Sequence, residues 1–428
     1  MKGGKPEGRK SKLGNSPVML EACTILVSSI VQVVHCTFAN NQVENYKSNP
    51  ATAANILCVG IGWFPKTPGG LDRYMYELTH QLAASQDRVE LCGVGLPETD
   101  PNSLVKLSNL AEPEHRLWKR LWLIRSNFLQ LKSAKPDAIN LHFALYSFPL
   151  LQVLPREVPV TFSFHGPWAL ESKQEGSGKL SVFLKHWIEE IVYRRCDRFI
   201  VLSKAFGGIL HEEYQVPWSK IHVIPGGVDL SRFQINRSRP EARTQIDWPE
   251  NRPILFTARR LVHRVGLDKL LMAIAMIKPQ IPDIWLAIAG KGPLQAVLEQ
   301  QATDLGLNDN VKFLGFLPDD QLPIAYQAAD LSVMPSQSLE GFGLSVLESL
   351  ACGTPALCTP VGGMPEILEP FSPNLITPSC EATAIAERLE QLLIGKVPMP
   401  SREACQEYAA INFDWQTIAQ KVRKVLLF

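Results

Sequence analysis

Three common signatures are missing from this chain of 428 residues. It contains no C-x-x-C pair and no H-E-x-x-H, so neither a zinc ribbon nor a zinc hydrolase is written into it. Its nine cysteines run from Cys23 to Cys405 without partners at metal-ligand spacing, and Cys352 and Cys358 fall in different segments of one βα unit. They are expected to be reduced, mostly buried small apolar residues in a cytoplasmic protein, and no metal is expected. Charge of one sign is lacking too. Lys+Arg 43 against Asp+Glu 42 leaves +1, which argues against a global nucleic-acid footprint. Long apolar runs are also absent. The run Ala22 to Val34 is short of the roughly twenty residues that span a bilayer. Lys2, Lys5, Arg9, Lys10 and Lys12 precede it, so a signal peptide is the rival reading, but the basic part is long and Glu21 borders the run. Residues 1–54 are therefore expected to be an unstructured leader or an over-extended start. No short fixed period recurs, which excludes a solenoid.

What is present is an alternation of short apolar runs and helical patterns. The runs are Asn55 to Gly60, Val160 to Phe164, Arg198 to Leu202, Ile254 to Thr257, Ile284 to Ala289, Val311 to Leu314 and Leu331 to Met334. Such alternation means βαβ units and parallel sheets, and the length calls for two domains. The change-over lies near Ile224-Pro-Gly-Gly-Val-Asp229, followed by a stretch poor in apolar residues. The expected organisation is a first doubly wound domain over 55–230, a linker over 231–252 and a second over 253–412. A final amphipathic helix over 413–428 completes it. Ligands of doubly wound sheets sit outside the carboxyl ends of the strands, so two facing domains place a cleft between those edges.

The second domain carries the richest segment, Glu340-Gly-Phe-Gly-Leu-Ser-Val-Leu-Glu348. Gly341 and Gly343 allow close backbone approach, and a helix starting near Leu344 offers free amides to a phosphate. Glu340 and Glu348 then border one anion site, a useful place for carboxylates only if sugar and ribose hydroxyls donate to them. Arg259, Arg260 and Arg264 crowd the end of the strand Ile254 to Thr257, where guanidinium groups can fork onto phosphate oxygens. Gly290 sits in the Gly-rich turn after the next strand.

In the first domain, Gly69 and Gly70 form a glycine loop that opens a helix, and Arg73 follows on that helix. His165 stands just past an apolar strand and before Gly166, where the cleft is expected. The segment Arg116 to Arg125 mixes four cations with Trp118 and Trp122. A helix packed on its own sheet is the first reading, and peripheral contact with an anionic membrane the second.

Together these segments resemble the family 4 retaining glycosyltransferases of the GT-B fold, two facing Rossmann-like domains. The resemblance runs from about Asn55 onward. It rests on E-G-F-G-L-S-V-L-E, I-P-G-G-V-D-L-S-R-F (Ile224 to Phe233), A-R-R-L-V (Ala258 to Val262), C-G-T-P-A (Cys352 to Ala356) and V-G-G-M-P-E-I (Val361 to Ile367). It implies transfer of a hexosyl group from an NDP-sugar to the hydroxyl of a polysaccharide, glycolipid or small glycoside, with no cofactor or bound metal. The rivals are a GT-B epimerase of UDP-sugars and a silent sugar-nucleotide binding protein. It further implies that Glu340 and His165 contact the donor sugar and that Arg260 pairs with the diphosphate. Glu348 would bind the ribose. Gly69, Gly70, Gly290, Gly341, Phe342, Gly343 and Leu344 would line the donor. The family's usual lysine before the glycine matching Gly266 is replaced by Val265, and Arg264 is the expected substitute.

Overall fold

The computed structural model describes residues 53–66, 69–98, 103–131, 133–234 and 237–428. The expected leader, apart from its last two residues, lies outside them.

Seven parallel strands make the first sheet. They are β1 (Asn55–Val59), β2 (Arg88–Val94), β3 (Lys106–Ala111), β4 (Ala138–Leu141), β5 (Val160–Phe164), β6 (Arg198–Val201) and β7 (Ile221–Val223), in the order β3-β2-β1-β4-β5-β6-β7. Five more, β8 (Ile254–Ala258), β9 (Trp285–Ala289), β10 (Val311–Gly315), β11 (Leu331–Met334) and β12 (Ala356–Cys358), form the second in the order β10-β9-β8-β11-β12. Both orders reverse beside the first strand of the sheet, at β1/β4 and β8/β11, and such a switch point opens a crevice at the carboxyl edge. Central strands such as β5 are buried along their whole length, because helices cover both faces of a parallel sheet.

Six helices frame the site. They are α1 (Gly70–Ala84), α2 (Leu117–Gln130), α3 (Lys179–Arg195), α4 (Lys204–Tyr214), α5 (Leu344–Ala351) and α6 (Trp415–Leu427). Ile124 of α2, Val192 of α3 and Leu210 of α4 share one apolar cluster, so these helices lie on one face of the first sheet. The side chains of α1 and α6 join a different cluster, continuous with the core of the second sheet.

The described residues of the stretch expected as a linker pack on the second domain, with the helix Arg239–Gln245 against the helix Leu322–Ala328. The stretch carries the short helices Leu230–Phe233 and Arg239–Gln245, the latter opened by a capping box between Ser238 and Glu241. Arg243, buried, donates to Asp330 at 2.8 Å and to the Ala328 carbonyl at 2.9 Å. Few apolar side chains were needed because arginines make the attachment.

The chain returns to the first sheet as expected. Asp414 caps α6 by accepting from the Gln416 and Thr417 amides. Trp415, Ile418, Val422 and Leu426 are buried, and α6 packs on α1 and against β4, β5 and β6. Arg423 donates to the fully buried Asp87 carboxylate at 2.6 and 2.8 Å. At the change-over, the Val228 amide donates to the Phe413 carbonyl at 2.8 Å. A side chain at Gly227 would collide with the Trp415 ring, so the glycine pair lets the two crossings touch.

Candidate functional site

Glu340 sits in the loop between β11 and α5, and its side chain is 11% exposed. Arg259, one residue past β8, forms an ion pair with it and also donates to Ser336 at 3.0 Å and Ser345 at 3.1 Å. Ser336 donates to Glu340 in turn, at 3.0 Å. Burial pushes the Glu340 carboxyl up, but the Arg259 charge and hydrogen bond, with Arg264 and Ser336, outweigh it and hold the group below the usual range. Glu340 is thus an ionised carboxylate fixed from below.

Two glycines make this loop possible. Gly343, at φ +96°, turns the chain into α5 and leaves the first amides of that helix open. Gly362, at φ +59°, passes so close that an added Cβ would lie 1.7 Å from the Glu340 carbonyl oxygen. The next residue, Gly363, donates its amide to that oxygen at 3.1 Å. Gly362→Ala is therefore expected to displace the Glu340 loop. A cost of about 1–3 kcal/mol would show as a lower thermal midpoint, with loss of turnover.

Glu348 lies one turn into α5, with its two oxygens held from different domains. Arg73 of α1 donates to Oε1 at 3.0 Å, and Tyr326 donates to Oε2 at 3.1 Å. Arg73 lies 5.2 Å from the ring centroids of both Phe64 and Phe233. Burial raises the Glu348 carboxyl above its ordinary range, and Arg73 and the Tyr326 hydroxyl oppose the rise.

Of the three arginines read from the sequence, Arg259 is the one packed on Glu340. Arg260 is exposed. Arg264 donates to the Leu339 carbonyl at 3.2 Å. The charges of Arg264 and Arg260 both act on Glu171, which the first domain presents across the cleft. Burial dominates there and raises that carboxyl. Gly290, at φ +134°, lies under Arg259: an added Cβ would meet the Arg259 carbonyl oxygen at 1.9 Å. Gly69 precedes α1 in extended backbone and Gly70 starts it, leaving space beside Gly70 open.

His165 follows β5 and is paired with a residue the sequence reading passed over. His142 Nδ1 lies 3.0 Å from His165 Nε2, and the rings are near-parallel at 17°. Burial pushes His165 down to about 3 and His142 well below its ordinary value, so both rings are neutral, one donating and one accepting. The edge of Tyr74 packs on His165 with centroids 4.8 Å apart. His142 directly follows β4, and its place one residue past the short run Ala138–Leu141 was the signal available for it.

Contacts across the cleft are dense. Ser203 donates to the Gly341 carbonyl at 2.7 Å. Glu366 accepts from the Lys204 and Ala205 amides, both at 2.9 Å, at the start of α4. Ser338 donates to Gln174 at 2.9 Å. Glu340, Glu348, Arg259, Arg264 and His165 thus gather where the carboxyl edges of the two sheets meet.

Two family models cover this architecture in sequence. Residues 68–232 match the model described as Glycosyltransferase Family 4, and residues 238–411 match Glycosyl transferases group 1. The chain belongs to the group 1 glycosyltransferases.

Among its relatives is the GDP-mannose-dependent alpha-(1-6)-phosphatidylinositol monomannoside mannosyltransferase of Mycolicibacterium smegmatis. It is 30% identical over 224 residues, 49% of this chain and 57% of that protein. The chain thus spans little more than half the length of that relative. Glycogen synthase of Mycobacterium tuberculosis is 27% identical over 87% of this chain and 94% of its own. The fold of this glycosyltransferase is that of sucrose-phosphate synthase from Thermosynechococcus elongatus (TM-score 0.71, 22% identity, 87% of this chain and 98% of that one). It is also that of Anabaena HepE solved in complex with UDP (TM-score 0.68, 20% identity, 87% and 99%).

Proposed function

We propose that this glycosyltransferase moves a hexosyl group from a nucleoside diphosphate sugar to an acceptor hydroxyl with retention of configuration. The observation that carries the reading is the pair Glu340 and Glu348. Two buried carboxylates flank the open amide end of α5, and both are reached by arginines. In this reading the diphosphate lies on the α5 amides at Gly343 and Leu344, countered by Arg260 and Arg264. Glu348 accepts from the ribose hydroxyls, and Glu340 from a hydroxyl of the sugar. Gly69, Gly70, Gly290, Gly341 and Phe342 line the donor, and neutral His165 faces the transferred sugar. The named relatives and the UDP-bound structure support a nucleotide-sugar donor. The buried free cysteines support a reducing, cytoplasmic setting.

Glu340 and Glu348 are both held by arginines, which suits accepting hydroxyl hydrogen bonds better than attack on the sugar. The mechanism is therefore departure of the diphosphate with attack by the acceptor from the same face, the leaving group accepting the acceptor's proton. Preorganised positive charge at the leaving phosphate supplies the rate. Incubating the chain with UDP-, GDP- and ADP-sugars, with and without added glycoside acceptors, tests this directly. Sugar turnover of none of them, or epimerisation with donor alone, would sink the proposal.

Glu348→Ala is expected to weaken nucleotide binding by about 1.5–3 kcal/mol, the worth of a hydrogen bond to a charged group. Calorimetry with each nucleoside diphosphate measures it, and unchanged affinity removes Glu348 from the ribose.

A pH effect follows from the Arg73 contact. Among the charges facing Glu348, Arg73 and Arg259 favour its ionised form, and Asp319 opposes it. Arg73→Gln raises the Glu348 carboxyl further, so it gains its proton at higher pH. Nucleotide affinity of the variant should then fall on acidification at a higher pH than that of the unsubstituted chain. Curves that fall at the same pH would show that Arg73 does not act through Glu348.

A further inference from the structure

The outer side of the first domain does not have the polar surface of a freely dissolved protein. Among the described residues, Trp118 is 66% exposed and Trp122 63%, with Leu117 beside them, in the first two turns of α2. Leu180 at 70% and Phe183 at 64%, with Leu184, repeat the pattern in the first two turns of α3. Trp118 and Trp122 are four residues apart, as are Leu180 and Leu184, so each set forms a stripe along one side of its helix.

The two stripes belong to one surface. Arg125 of α2 donates to the Pro149 carbonyl at 3.1 Å, and Trp187 of α3 packs on Phe148 next to it at 5.8 Å between centroids. Both helices turn their inner sides to the same apolar cluster, so their outer sides face the same way. α2 is the next element after β3, and α3 follows β5, which leads to His165, after one intervening short helix, Trp168–Gln174.

Charge decides what covers this face. From residue 115 to 136 there is no Asp or Glu, nor from 176 to 188. The cations Arg116, Lys119 and Lys179 are exposed in those stretches. A soluble protein partner, or a second copy of this near-neutral chain, gives no reason for two acid-free stretches that carry bare apolar and aromatic side chains. A bilayer with anionic headgroups does: indole and phenyl rings settle at the headgroup boundary, and cations meet the lipid phosphates. No helix of the described residues is long and apolar enough to cross a membrane, so the contact is peripheral.

We propose that the outer face of α2 and α3 docks on an anionic bilayer surface through Trp118, Trp122, Phe183 and Leu184, with Arg116, Lys119 and Lys179 on lipid phosphates. Docking sets the bilayer beside the mouth of the cleft. An acceptor anchored in that surface then reaches the donor without leaving it. The proposal concerns a surface and stands whichever sugar is transferred.

Sedimentation of the full chain with phosphatidylcholine vesicles, with and without about a third phosphatidylglycerol, tests it. Binding is expected to the anionic vesicles only, and to fall as salt is raised. Removing two cations, Arg116→Gln with Lys119→Gln, should lower partitioning about 25-fold, at roughly fivefold per cation. Trp118→Ser with Trp122→Ser, and separately Phe183→Ser with Leu184→Ser, should each lower it at least about tenfold. All six positions are on the surface and outside the donor site, so nucleotide affinity should not move. Equal binding to neutral vesicles overturns the proposal, as does anionic binding unchanged by these substitutions, which would assign it to another part of the chain. A dimer in sedimentation velocity that the same substitutions break, with no vesicle binding, assigns the face to a second copy and overturns it as well.

Discussion

Glu340→Leu is expected to abolish transfer and to destabilise the second domain by about 3–5 kcal/mol, because it strands the Arg259 guanidinium in the protein interior. Ser336 and Ser345 would still accept from that cation, but neither carries charge. Arg259→Leu should be as damaging, since the Glu340 carboxylate would then lose the strongest influence holding it ionised in a buried site. The double variant separates the two effects. If the pair acts as a unit, Arg259→Leu/Glu340→Leu should recover much of the stability and none of the activity. Chemical unfolding and turnover on the four proteins give the cycle. Additive stability losses would show that the two side chains are not coupled, and turnover by the double variant would remove Glu340 from the reaction.

The other large effect concerns the return helix. Stopping the chain after Asn412 removes Trp415, Ile418, Val422 and Leu426, all buried. At roughly 1.5–3 kcal/mol for each buried side chain, the loss is of the order of a domain's whole stability. It also leaves Asp87 without Arg423. The first domain should then expose apolar surface, read as dye binding, and transfer should stop. The second domain, whose sheet α6 does not enter, should still bind nucleotide weakly. Full activity of the shortened chain would contradict the packing of α6.

Much of this was written in the sequence, and the limits have physical causes. Strands buried on both faces announced themselves as unbroken apolar runs, as in Val160 to Phe164. Strands β2, β3 and β4 escaped because Glu90, Ser108 and Asn140 interrupt the apolar pattern. They are paired inside the fold: Ser108 donates to Glu90 at 2.6 Å, and the Asn140 Oδ1 accepts from Ser163 at 3.0 Å, although its Nδ2 is buried without a partner. The three-residue strands β7 and β12 are too short for any period. The segment Glu340 to Glu348 pointed to a loop and a helix starting near Leu344, and α5 begins there.

Choosing among three adjacent arginines was beyond local pattern. Successive side chains near a strand end point to opposite sides, and only the finished sheet shows that Arg259, not Arg260, lies against Glu340. The Arg73 to Glu348 contact joins residues 275 apart in the chain, and nothing local encodes it.

The return of α6 also sets an order of manufacture. Every strand of the first sheet leaves the ribosome before β8, but the helix that covers β4, β5 and β6 on one side follows β12. At about 5–20 residues per second, the nascent first domain waits on the order of tens of seconds with that side bare. Through that interval, Ile200 and the other side chains that α6 will cover are open to chaperones and to aggregation alike. Slow translation through the second domain should therefore lower the yield of soluble protein more than slow translation through the first.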